Sequence, residues 1–204
     1  MREWFERPIN LLGKLVNLHP LAEEHVSVLQ AIAADPRIWE FYAYDASRPE
    51  KFNQVMQAAL KEVEMGTQYP FVIEYKPTRE IIGSTRFMDI HPVHKKLEIG
   101  TTWLHPDYWA TPVNLECKLL LLNYCFDVLK TVRVQLKTDE NNIRSRKAIE
   151  KIGGKFEGIL RNDIIRDNQT KRNSAYYSII DEEWPAVKIL LQEKFDAKMN
   201  LQNI

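Results

Sequence analysis

The hydrophobic pattern changes period several times along the chain, and each change predicts an element. Lys14 to Leu18 (KLVNL) alternates apolar and polar residues as a half-buried strand does, and His19-Pro20 ends it. From Leu21 to Ala34 the positions Leu21, His25, Val28, Leu29 and Ile32 recur at helical spacing, stopping before Pro36. A second helix is predicted over Pro49 to Glu64, with Phe52, Val55, Met56, Ala59, Leu60 and Val63 on one side. Gly66 beyond it suits the left-handed conformation that follows many helices.

From Tyr69 the pattern becomes strand-like: PFVIEY, a turn at Lys76 to Arg79, EIIGSTRFMDI, a loop around HPVHKK, and LEIGTTWL. Short connections between them predict an antiparallel meander. A covered helix follows, with Thr111 as N-cap, Pro112 at the first helical position and an end near Lys130. Its narrow polar stripe is Glu116, Asn123, Asp127 and Lys130. RVQLKTD (Arg133 to Asp139) is then a strand, parallel to its neighbour across that crossover helix. Asn142 caps a short helix to Ile152, which Gly153-Gly154 closes. Strands over Lys155 to Arg166 and Arg172 to Ile180 turn at Asp167-Asn168, and Glu182 to Lys198 forms a last helix.

Composition narrows the class. At 204 residues, with no repeat, low-complexity tract or linker, the chain is read as one domain over 1–204. Lys+Arg and Asp+Glu are both 28, so no global field steers it to nucleic acid or an anionic membrane. No apolar run approaches the roughly 20 residues of a membrane span, and MREWFERPINLLGKL does not resemble a signal peptide, so a cytoplasmic protein is expected. Cys117 and Cys125 lie about 12 Å apart along one helix, too far for a disulfide, and are read as reduced, buried thiols. His91 and His94 lack further ligands at metal-binding spacing, so no metal is expected.

The chemistry gathers at the helix start near Thr111. A helix N-terminus beside a strand end presents free N–H groups and the positive end of the macrodipole, a generic phosphate or pyrophosphate site. LEIGTTWLHPDYW, the helix entry with Glu116, RVQLKTD, NIRSRKAIEKIGGKFEGILR and RDNQTKRNSAYYSII together resemble the GNAT superfamily of N-acetyltransferases. The likeness is to its Rim-type branch of ribosomal-protein N-terminal acetyltransferases, and it covers the last two thirds of the chain. It implies an α/β (α+β) GNAT fold: a mixed central sheet of about seven strands, mostly antiparallel, with one splayed parallel pair, flanked by helices. It also implies acetyl-CoA as cosubstrate, lying between Lys96–Leu104 and Arg133–Asp139 with its pyrophosphate on the helix start.

By the resemblance, cofactor contacts fall on Trp103, Leu104, Trp109, Ala110, Thr111, Val113, Asn114, Asn142, Ser145 and Lys147. The family's pyrophosphate loop carries two glycines where this chain has Ala110 and Pro112, so Thr111 and Asn114 are expected to supply different donors. Acetyl transfer needs a base for the amine, a donor for the oxyanion and a proton for the leaving thiolate. Glu98 is the expected base, set against a plain surface pairing with Lys95 or Lys96. A backbone N–H near Trp103 or Leu104 is the expected oxyanion donor. The family's frequent Tyr acid is replaced by Ile149, leaving its role to Ser145, to water or unfilled.

Trp39 to Tyr44 is expected to line the acceptor pocket. The function implied is direct transfer of acetyl to a primary amine, either a protein N-terminus or a small molecule, in a ternary complex. The alternative is an acyl-CoA-binding sensor that has lost turnover. Oligomeric state, including a homodimer, is left open.

Overall fold

The computed structural model describes Trp4 and residues 6–202. The chain opens with a two-residue strand, β1 (Leu11–Leu12), which turns back into β2 (Val16–Pro20). The strand expected at Lys14 is displaced by two residues because Lys14 and Leu15 form the turn between these strands. Their N–H groups go to a side chain, Glu116, instead of a ladder. Pro20 joins the strand rather than ending it: it pairs with Phe71 beyond the reach of β1, on the side where no donor is required.

Helix α1 (Val26–Ala33) is shorter than its periodicity suggests. Glu23–His25 form a 3₁₀ turn, and His25 Nδ1 accepts the Ala22 N–H at 3.0 Å. Helix α2 (Pro49–Met65) ends at Gly66, whose φ of 73° is the left-handed cap the sequence called for.

Strands β3 (Tyr69–Tyr75), β4 (Glu80–His91) and β5 (Lys96–Leu104) form the expected meander. Helix α3 (Val113–Asn123) then passes into a π-helical turn, Tyr124–Val128, so the regular helix stops short of Lys130. Next come β6 (Arg133–Asp139), α4 (Ile143–Lys151), β7 (Lys155–Ile165), β8 (Lys171–Ile180) and α5 (Trp184–Gln202). The sheet has eight strands in the order β1-β2-β3-β4-β5-β6-β8-β7, the eighth being the short β1, and only β5 with β6 is parallel. No described helix is long and apolar enough to cross a membrane.

Each face of the sheet buries its own apolar cluster. Helices α3 and α5 cover Leu97, Ile99, Val134, Leu136 and Tyr177, while α1 and α2 cover Val72 and Trp103. The two cysteines are buried free thiols.

Helix α3 is fixed by a residue that the sequence placed on a polar stripe. Glu116 is 3% exposed, and its carboxylate accepts the N–H groups of Lys14, Leu15 and Val16 at 2.6, 2.8 and 2.7 Å. Burial is tolerated because three charge-assisted hydrogen bonds replace the lost water. The fit admits no side chain at Gly13, where a Cβ would lie 2.7 Å from the carboxyl carbon of Glu116.

Candidate active site

Strands β5 and β6 pair only over Lys96–Glu98 and Arg133–Gln135, and then part. A β-bulge accompanies the parting: Thr101 and Thr102 together face Thr85, between the pairs Arg86–Gly100 and Ser84–Trp103. Thr101 takes a φ of 45°, a strained conformation for a β-branched residue. The extra residue also reverses the alternation. Leu97 and Ile99 face α3, yet Trp103 faces α1 and α2.

Because β5 and β6 are parallel and each feeds a helix, the starts of α3 and α4 both lie at the open end of the wedge. Two sets of N–H groups without intrahelical partners therefore meet there. Helix α3 begins one residue later than expected: Pro112 is the cap position, and its carbonyl accepts the Glu116 N–H at 3.0 Å. Thr111 still caps, its Oγ1 accepting from Val113 N at 3.3 Å and donating to Tyr108 O at 2.7 Å.

Ala110 adopts φ 62°, the left-handed conformation that a glycine would supply without strain. The loop thus keeps a glycine-like course without the glycine. Asn114 Oδ1 is buried without a hydrogen-bond partner among the described residues, a polar atom awaiting a donor. Lys198 of α5 donates to Ala110 O at 2.7 Å, leaving a cation beside the loop.

Across the opening, Asn142 Oδ1 accepts the Ser145 N–H at 2.9 Å, the cap expected of it. Ser145 lies half-buried on the first turn of α4, and Lys147 is exposed. The Arg144 guanidinium stacks 4.2 Å above the Trp109 ring, while Trp109 Nε1 donates to Leu104 O at 3.0 Å. That pair joins the two helix entries. Arg146 instead serves the scaffold, donating to the Tyr177 hydroxyl at 2.9 Å.

Glu98 sits at the closed end of the wedge and is 1% exposed. Its partners are neither Lys95 nor Lys96. Gln135 Nε2 donates to it at 2.9 Å and Lys137 Nζ lies at 3.3 Å, both from the adjoining parallel strand. Burial raises the Glu98 pKa, only partly opposed by the Lys137 charge and the Gln135 hydrogen bond. Lys137 is penalised most by the same burial, but the charge and hydrogen bond of Glu98 together with the charges of Tyr176 and Asp89 raise its pKa and keep the ammonium protonated. A cavity of about 90 Å³ opens beside Glu98, between Asp89, His91, Lys96, Arg133 and Gln135.

The segment between α1 and α2 folds over the β5 side of this face. Trp39 lies 5.0, 5.7 and 5.5 Å from the rings of Tyr42, Tyr44 and Trp103. The Tyr42 hydroxyl donates to Thr102 O at 2.9 Å, so the aromatic wall is tied to the bulge.

Several residues around the wedge were not singled out from the sequence. Lys137 and Gln135 could have been found by aligning the parallel strands, which sets Glu98 opposite Gln135. Lys118, a lysine inside the apolar run of α3, carried a signal in its very misplacement: it is 8% exposed and donates to Thr102 Oγ1 at 2.6 Å. Nothing in the pattern marked the bulge at Thr101.

An open parallel wedge with two helix starts at its mouth and a buried carboxylate at its vertex is the arrangement that the resemblance to the GNAT superfamily implies for an acyl-CoA-dependent transferase. Comparison with known proteins agrees: residues 16–155 match the acetyltransferase (GNAT) domain, and the chain belongs to that family of acyltransferases, whose cosubstrate is acetyl-CoA. It is 25% identical over 157 residues to the putative ribosomal N-acetyltransferase YdaF of Bacillus subtilis, covering 74% of this chain and 80% of that protein. A putative acetyltransferase from T. thermophilus superposes with a TM-score of 0.83 at 32% identity, over 93% of this chain and 98% of its own. Mycobacterium smegmatis RimJ in complex with CoA-disulfide has the same fold, with a TM-score of 0.77 at 20% identity over 92% and 95% of the two chains.

Proposed function

We propose that this chain is an N-acetyltransferase that moves acetyl from acetyl-CoA to a primary amine, a protein N-terminus or a small molecule, by direct attack in a ternary complex. The observation that carries the reading is the buried Glu98 at the vertex of the wedge, on the sheet face opposite α3, with helix starts waiting at the open end. When bound, acetyl-CoA supplies the activated acyl group. At the start of α3 the backbone N–H groups of Ala110, Thr111 and Asn114 and the Asn114 amide NH₂ would hold its phosphates, with Val113 lining the turn and Lys147 and Lys198 adding charge. The Thr111 hydroxyl, expected as a donor, is instead committed to Tyr108 O. Asn142 and Ser145 line the α4 side, Trp109 spans the mouth, and Trp103 and Leu104 contribute β5 backbone along the wedge.

Glu98 takes the proton from the incoming ammonium. Its raised pKa brings it closer to that task, and Lys137 and Gln135 keep it oriented. Glu98→Gln should lower kcat/KM roughly 100- to 10,000-fold, the usual scale of general-base loss, with acetyl-CoA affinity nearly unchanged. A free-CoA assay over an amine panel, with acetyl-CoA binding followed by thermal shift, tests this. A Glu98→Gln enzyme with the wild-type rate and pH profile would remove Glu98 from the reaction.

One observation favours a second reading, an acyl-CoA-binding protein without turnover. Ile149 is 7% exposed and packed into the main core, so α4 offers no acid at that position. Acetyl-CoA binding with no amine acetylated would select it.

A further inference from the structure

The face of the sheet that carries Glu98 also carries a buried cation that the transfer chemistry does not require. Arg86 lies on β4, paired with Gly100 just before the bulge, and is 5% exposed. Its Nη1 donates to Gln68 Oε1 at 3.0 Å, while Nε and Nη2 have no hydrogen-bond partner among the described residues. No described carboxylate forms an ion pair with it. Glu62 is felt only through its charge, and the side chain of Glu62 is within reach of Thr67 instead. A guanidinium removed from water with two nitrogens unmatched is costly, so an anion that pairs with them would recover much of that cost on binding.

Its surroundings place that ligand beside the reaction. Arg86 pairs with Gly100, two residues along β5 from Glu98 and on the same face, and its charge also acts on Tyr42 and Tyr44. Tyr42 is the residue bonded to Thr102 O at the splay, where an acyl group held in the wedge would be presented. Trp103 Nε1, in the same aromatic cluster, is a second buried donor without a partner among the described residues. Arg172 lies on the same side. It is 9% exposed, and its Nη1 is 3.3 Å from Phe41 O; because Asp139 lies 4.0 Å from its Nε, it closes the wall around Tyr42 as a matched charge and leaves Arg86 as the cation without an acid. Unmatched donors and positive charge on one side, and a carboxylate base on the other, suit a molecule with an ammonium at one end and an anion at the other.

Resting on the acetyltransferase reading above, we infer that the acceptor is an amine that also carries a carboxylate, and that Arg86 binds that carboxylate. Arg86 is then a specificity-determining residue, and its planar fork matches a carboxylate in a way a single ammonium cannot. Amines lacking the anion would leave the donors of Arg86 and Trp103 unpaired and should be poor acceptors.

The test uses the full chain and matched amine pairs that differ only in the acid group: butylamine with 4-aminobutanoate, phenethylamine with phenylalanine, and ethanolamine with phosphoethanolamine. Each is measured for free-CoA release and for the melting-temperature shift of the CoA-saturated protein. The carboxylated member should have a kcat/KM about tenfold or more higher, the scale of one charge-assisted hydrogen bond in a buried site. Arg86→Met should abolish that preference while leaving the acetyl-CoA thermal shift intact. Arg86→Lys should restore only part of it.

If Arg86→Met fails to fold, the wild-type ratio still tests the acceptor class, and Arg86→Lys, expected to lower that ratio while leaving the acetyl-CoA thermal shift intact, tests the residue; an unchanged ratio in Arg86→Lys would overturn the role of Arg86. Turnover without preference for the acid, or preference for the phosphate member alone, overturns the carboxylate assignment and leaves the acetyltransferase reading standing. A carboxylate-specific thermal shift that is lost in Arg86→Met, with no amine acetylated, supports the anion site and overturns the acetyltransferase reading.

Discussion

Lys118 should be worth more to the folded chain as a methionine than as a lysine at neutral pH. It is buried, its ammonium donates to Thr102 Oγ1 at 2.6 Å, and no described carboxylate forms an ion pair with it. Burial drives its pKa down from 10.5 to about 8. Below that value the lysine is charged in both folded and unfolded chains, and the buried charge costs the native state roughly 3 kcal/mol. Lys118→Met keeps an unbranched chain of similar length but forfeits the hydrogen bond to Thr102, worth about 1 kcal/mol. Thr102 retains Thr85 as a partner at 2.7 Å. The net gain should be roughly 2 kcal/mol at pH 6.5, or about 4–8 °C in Tm for a domain of this size.

The sign with pH follows from the depressed pKa. Between about 8 and 10.5 the unfolded chain holds the proton that the native chain has released, so wild-type stability rises with pH across that window. The advantage of Lys118→Met should therefore shrink steadily from pH 8, vanish roughly 1.5 pH units higher, and reverse by about 1 kcal/mol near pH 10.5, where only the lost hydrogen bond remains. Urea melts of both proteins from pH 6.5 to 10.5 measure it. A difference that stays constant over the range, or a Lys118→Met protein less stable at pH 6.5, would show that the native chain compensates the charge in full.

Three further outcomes are expected. Ala110→Gly should raise stability by about 0.5–1 kcal/mol, because glycine meets φ 62° without the penalty alanine bears, and acetyl-CoA binding should be retained; paired thermal melts with and without acetyl-CoA check both. Glu116→Ala strands three backbone N–H groups and should cost about 3 kcal/mol or more, whereas Glu116→Gln, with one acceptor left, should recover part of that in the same melts. Activity of the wild type toward its best amine should rise with pH as Glu98 deprotonates, the acid limb lying above the usual glutamate range because burial raises that carboxyl, and Lys137→Met should move the limb higher still.

The meander, the crossover into β6, the α2 cap at Gly66 and the Asn142 cap were all legible, because each rests on local periodicity or a single turn residue. The side-chain pairings that escaped share one physical origin: a partner distant in sequence. Glu116 reads as part of a solvated stripe until the N–H groups of Lys14 to Val16 are brought to it. The pairing of Glu98 with Lys137 depends on the register of two strands joined through α3. The bulge at Thr101 leaves no trace in composition, yet it decides which side Trp103 faces. Pattern alone could not separate a two-residue strand at Leu11 from loop, nor show that Arg86 in β4 is buried where no described acid forms an ion pair with it.

The anchoring of Glu116 also bears on the order in which this protein can assemble. The helix whose start opens onto the wedge is aimed by backbone made about a hundred residues earlier, across separations of 100, 101 and 102 residues. Closing so long a loop is an entropic toll that local helix formation cannot offset. During synthesis, the N–H groups of Lys14, Leu15 and Val16 therefore stay bonded to water until α3 arrives. A chain cut before α3 would hold an incomplete first turn, and one lacking residues 13–16 would hold a buried, unmatched carboxylate. Fragments split on either side of that contact should recover cofactor binding only when mixed.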